Sequence, residues 1–107
     1  MKNMRTSTAI LGLVLSTQMG NTAIASEGAS LYKERTCIAC HGAEGKVPVM
    51  DEYPTLAGQN EIYLLKQMKD IKSGARNHAH TAPMKNIMHL VADEEMAIIA
   101  KWLSELE

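Results

Sequence analysis

The stretch Thr36–Gly45 reads TCIACHGAEG and holds both cysteines of the 107-residue chain, Cys37 and Cys40, with His41 directly after the second. On a helical turn, residues at i, i+3 and i+4 share a face, so the two thiols and the imidazole project together. Four uses of that face differ in what else they require. A thiol redox pair sits where a strand runs into a helix in a βαβ unit, and no alternating strand pattern of useful length occurs here. A zinc site needs a fourth ligand. His78 and His80 lie one residue apart, which fits neither common zinc spacing, and adjacent Cys-His ligands are geometrically awkward. Buried structural thiols leave His41 without a role, and an oxidising compartment would not spare them. Covalent attachment of one haem c uses all three residues: Cys37 and Cys40 form thioethers, and His41 binds the iron.

The start of the chain places it in such a compartment. Lys2 and Arg5 precede the apolar run Ala9–Leu15, and Ala23-Ile24-Ala25 offers small residues where a signal peptidase reads. The pattern predicts a signal peptide over residues 1–25, cut before Ser26, and a periplasmic product. Ser16, Thr17, Gln18 and Asn21 interrupt the apolar run well short of the ~20 residues a membrane span needs. No stable membrane insertion is expected once the signal is cleaved.

The mature chain, residues 26–107, is then a single domain of 82 residues. Loss of Lys2 and Arg5 leaves nine basic against twelve acidic residues, a formal charge of −3, which argues against a nucleic-acid surface. The chain has no phenylalanine, one tryptophan and three tyrosines. A domain of ~80 residues rarely draws more than a few kcal/mol from its core alone. A disulfide across Cys37–Cys40 would close too small a ring to constrain the unfolded state. A haem, as a large apolar plate, furnishes the missing core.

Three segments carry helical periodicity. Glu27–Ala39 presents Gly28, Leu31 and Tyr32 and runs into the cysteine pair. Asn60–Ser73 sets Leu64, Leu65, Met68 and Ile71 on one stripe, with Asn60 to cap its start and Gly74 to end it. Asp93–Glu107 sets Ile99, Trp102, Leu103 and Leu106 at helical spacing behind three acids that suit the helix dipole. Between them, 42–59 and 75–91 read as long loops that need something to pack against. The expected class is all-α, three main helices and long loops wrapped around one covalently attached haem.

Five mature methionines compete for the sixth position on the iron. Met68 and Met96 fall on helical stripes and read as core. Met50 is too close to His41 in sequence to reach the other face. Met84 follows Pro83, which favours an extended Ala82, in a segment read as irregular. It is the leading candidate, with Met88 or one of His78, His80 and His89 as alternatives.

With the stretches GASLYKERTCIACHGAEG, YPTLAGQNEIYLLKQMKDIKSGAR and APMKNIMHLVADEEMAIIAKWLSEL, the chain resembles the class I cytochromes c across 26–107. It is most similar to small bacterial periplasmic monohaem members and to a single-haem half of dihaem cytochromes. The resemblance implies that Pro54 offers its carbonyl to the His41 ring, and that such an acceptor makes the iron-bound nitrogen a better donor. It implies that Leu56 packs on the haem and that Met84, seven residues before Val91, is the axial methionine. Gly28, Tyr32 and Trp102 match the crossing of the first and last helices. Ala92 stands where the family commonly has a serine or threonine cap, a role that Asp93 is placed to take.

His/Met ligation leaves no open position on the iron and raises the reduction potential. The implied function is a periplasmic single-electron carrier that exchanges electrons with redox protein partners and is not an enzyme. The alternative is a haem c subunit stably docked to a larger periplasmic oxidoreductase.

Overall fold

The computed structural model describes the backbone of residues 9–13 and 19–107 and the side chains of 9–13 and 27–107. Of the signal segment expected over 1–25, residues 1–8 and 14–18 lie outside the described residues. Among the described residues five α-helices follow in order: α1 (Met19–Glu34), α2 (Cys37–His41), α3 (Glu61–Ser73), α4 (Thr81–Met88) and α5 (Asp93–Ser104). A single 3₁₀ turn, Ala43–Gly45, follows α2, and no strand occurs among the described residues. The fold is the all-α arrangement expected, with differences at α1, α4 and the α5 cap.

The first expected helix is two. α1 stops at Glu34, and Thr36 takes a left-handed conformation at φ 63°. A β-branched residue there is strained, and the turn it makes lets α2 start in a new direction with Cys37 as its first residue.

The middle helix forms as its ends dictate. Asn60 accepts a hydrogen bond from the Tyr63 amide at 3.1 Å, and Gly74 closes α3 at φ 87°, a conformation that costs glycine nothing. Leu64, Met68 and Ile71 are its buried stripe.

The segment 75–91, expected to be irregular, contains α4. Pro83 is the third residue of that helix. The amides of a first helical turn have no partner inside the helix, so proline sacrifices no hydrogen bond there. Ala82 is accordingly helical rather than extended.

Ala92, whose side chain has no cap to offer, holds the cap position of α5, and Asp93 is the first helical residue rather than the cap. Glu95 compensates by accepting from the Ala92 amide at 3.0 Å.

The core lies between α1, α3 and α5. Leu31 and Tyr32 from α1, Leu64, Met68 and Ile71 from α3, and Met96, Ile99, Ala100 and Leu103 from α5 are buried together, with Met88 and Val91. α1 and α5 make the most extensive helix contact, α3 packs on α5, and α4 leans on α3. At the α1–α5 crossing a Cβ added to Gly28 would lie 2.3 Å from the Trp102 Cβ. The rings of Tyr32 and Trp102 stack tilted, with centroids 5.2 Å apart.

One ion pair joins the end of α1 to the start of α5: Arg35 Nη2 donates to Glu95 Oε2 at 2.7 Å. Arg35, and after it the Ala92 amide, holds the Glu95 carboxyl below its ordinary range. A carboxyl whose folded value is depressed contributes stability above its unfolded value and loses it as pH falls through the folded one. Glu95→Gln is therefore expected to lower the urea midpoint at neutral pH and to make the acid-side loss of stability shallower. Parallel pH profiles for parent and variant would show that the pair contributes nothing.

A candidate haem site

α2, the loop that follows it and faces of α3, α4 and α5 wall a cavity of about 380 Å³. Cys37, Cys40 and His41 line it from α2, Pro54 and Leu56 from the loop before α3, and Met84 from α4. All six residues singled out in the sequence thus meet at one cavity.

The two cysteines are not bonded to each other; Cys37 is partly buried and Cys40 exposed. Burial, before any neighbouring charge, pushes the Cys37 thiol up to about 11. Reactive redox cysteines sit in electropositive surroundings that lower this value, so the surroundings of Cys37 are the reverse of a thiol switch.

His41 is 7% exposed. Its Nδ1 donates to the Pro54 carbonyl at 3.1 Å. Burial lowers the pKa of the ring, and the hydrogen bond to Pro54 opposes that in part. With the proton on Nδ1, Nε2 keeps its lone pair on a ring that lines the cavity. The carbonyl fixes both the tautomer and the ring orientation, as such acceptors do for histidines that bind metals.

The candidates for a sixth ligand separate by position. Met84 is half-buried at the cavity wall, whereas Met88, one turn on, is 3% exposed and belongs to the core while touching the same cavity. Met96 is fully buried away from the cavity, and Met50 is exposed outside it. Met68 is both core and wall. Of the histidines other than His41, only His80 reaches the cavity; its ring meets that of Tyr53 edge-on at 5.9 Å.

Sequence reasoning missed the polar part of the wall. Arg76 Nη1 donates to Gln67 Oε1 at 3.1 Å, and both residues line the cavity. Gln67 sits between Leu64 and Ile71, so a polar residue beside the apolar stripe of α3 was the available signal. Nothing comparable marked Arg76, which depends on the turn after Gly74 for its place.

The cavity fits a haem by its chemistry. Paired thiols and a neutral, oriented imidazole stand on one segment and a thioether on another. Of the eleven buried core residues among those described, seven, with Leu64, Ile71 and Leu103 among them, contribute apolar wall.

Comparison with known proteins agrees. The family model described as cytochrome c matches residues 25–107. The chain is 43% identical over 72 residues to cytochrome c4 of Pseudomonas aeruginosa, covering 67% of this chain and 34% of that protein. It is 35% identical over 86 residues to cytochrome c-553 of Nitratidesulfovibrio vulgaris, covering 80% and 82% respectively. The chain thus spans about a third of the first relative and most of the second. The crystal structure of reduced cytochrome c4 from Pseudomonas stutzeri superposes with a TM-score of 0.69 at 23% identity, over 80% of this chain and 50% of that one. That likeness bears on the fold. The cysteines through which the family holds haem c are here Cys37 and Cys40. With its motif, its fold and its cavity in agreement, the chain belongs to the cytochrome c family, as a small class I member similar to one half of a dihaem cytochrome c4.

Proposed function

We propose that residues 26–107 form a periplasmic single-electron carrier, with His41 and Met84 as the axial ligands of its haem c and residues 1–25 as a cleaved signal. The observation that carries this reading is the His41–Pro54 hydrogen bond inside a cavity that Met84 also lines. Haem supplies a one-electron ferric/ferrous couple. The residues do the rest. The cysteines tether the group, and Pro54 orients His41 and strengthens it as a donor. Leu56 and the core side chains exclude water, and Met84 closes the site against small ligands. No helix among the described residues is long and apolar enough to cross a membrane.

The partners are other redox proteins, met through small transient interfaces. A second reading, a subunit held on a larger oxidoreductase, draws on the exposed Ile38, Val47, Val49 and Met50. These apolar side chains lie near Cys40, whose carbonyl accepts from the Val49 amide at 3.0 Å.

Carbon monoxide added to the reduced holoprotein tests the closed site. An unchanged Soret band is expected, and a full shift would mean an open sixth position and a different chemistry. Gel filtration of the native periplasmic extract separates the two readings: haem absorbance eluting at the size of the free chain supports the carrier, and co-elution with a large enzyme supports the subunit.

A further inference from the structure

We infer that Tyr32 is a positioning residue for the iron site, whose hydroxyl sets the His41–Pro54 hydrogen bond through a relay of backbone contacts.

Tyr32 is 2% exposed, and its hydroxyl donates to the Gly42 carbonyl at 2.6 Å. Gly42 is the residue directly after His41. It leaves α2 at φ 79°, and a Cβ there would lie 2.0 Å from the Val47 carbonyl oxygen, so only glycine makes this exit. The same Gly42 carbonyl also accepts from the Gly45 amide at 3.2 Å. Gly45 in turn accepts at its own carbonyl from the amides of Leu56, at 2.8 Å, and Ala57, at 3.2 Å. Pro54, whose carbonyl receives the His41 proton, is two residues before Leu56.

The links close a loop. It runs from His41 to Gly42, across the turn to Gly45, over to Leu56, and back through Pro54 to the His41 ring. Every link but one is backbone, and backbone contacts cannot be adjusted by changing a rotamer. The exception is the His41 ring's own bond to Pro54, and the Tyr32 hydroxyl is a side chain that fixes the turn from outside the loop. It reaches the turn from α1, whose position is set by the crossing with α5. Burial raises the phenol to about 12, so it remains a donor across the working pH range. If the turn is released, Leu56 and Pro54 are free to move relative to His41. The acceptor then lengthens, and the imidazole becomes a poorer donor to iron.

This inference rests on His41 being the iron ligand. It is tested in the holoprotein with Tyr32→Phe, which keeps the ring against Trp102 and deletes only the hydroxyl. Two readouts matter: the reduction potential, and the exchange rate of the His41 Nδ1 proton measured by NMR in the reduced state. A poorer donor stabilises ferric iron less, so the potential should rise. The Nδ1 proton should exchange about five- to tenfold faster, which corresponds to the loss of a hydrogen bond of ordinary net strength. Val91→Ala, a core truncation away from the cavity, is the control. It should lower stability and leave both readouts at the parent value.

An unchanged potential and exchange rate in Tyr32→Phe would overturn the relay, whatever happens to stability. So would equal changes in Val91→Ala, which would trace them to stability alone. Failure of the ligation itself is distinguishable. It would appear in the parent protein, as a ferrous spectrum without a histidine-ligated low-spin haem, before any variant is made.

Discussion

Met84→Ala is expected to abolish the near-red charge-transfer band of methionine-ligated ferric haem and to lower the reduction potential. Thioether sulfur favours ferrous iron. Its loss is therefore expected to cost on the order of 0.1 V, within the roughly 0.8 V range that axial ligands span. Met88→Ala is the informative partner, because the two methionines are one turn apart on α4 and both reach the cavity. Met88 is 3% exposed, so truncating it should cost about 2–5 kcal/mol in stability while the band survives. If instead the band is lost from Met88→Ala and kept in Met84→Ala, the ligand is the deeper methionine. Ferric-state absorption and a potentiometric titration of both variants decide it.

Gly28→Val should produce a large loss of stability. The nearest atoms to an added Cβ are the Cβ of Trp102, at 2.3 Å, and its Cγ, at 2.8 Å, with the Ile98 carbonyl at 3.2 Å. The Trp102 Cβ is bonded to the α5 backbone and the Ile98 oxygen is part of it, so a rotamer change could move aside only the Cγ. The helices must separate, and Tyr32 loses its stacking on Trp102. Overpacking of this kind costs on the order of 3 kcal/mol, which in a domain this small lowers the melting temperature by about 15 °C. Gly28→Ala should act in the same direction with a smaller loss. A Gly28→Val midpoint within about 2 °C of the parent would show that the crossing yields freely. Calorimetry of the holoproteins measures both.

Much of this arrangement was readable before any coordinates. The α3 boundaries were, because Asn60 and Gly74 each have a local reason to stand where they do. The tethering residues were too, since the helical spacing of Cys37, Cys40 and His41 is itself the geometry of the site. What the chain did not reveal locally was α4. Pro83 reads as a helix breaker unless one knows that it falls in the first turn, and no side chain at His80 caps that turn. The break between α1 and α2 was equally hidden, since threonine is not a residue expected at φ 63°. Those features are imposed by packing around the cavity, and a chain read residue by residue carries no sign of them. The role of Tyr32 belongs with them: its ring reads as core, and only the fold shows where the hydroxyl goes.

The sharing of side chains between core and cavity has a consequence for biogenesis. Leu64, Met68, Ile71, Met88, Ile99 and Leu103 belong to both, so there is no separate core that can be completed first and fitted with its group later. The chain is therefore expected to receive its haem while still open, with the two thiols accessible. Covalent capture is then the committed step of maturation, and helix docking the event that follows it.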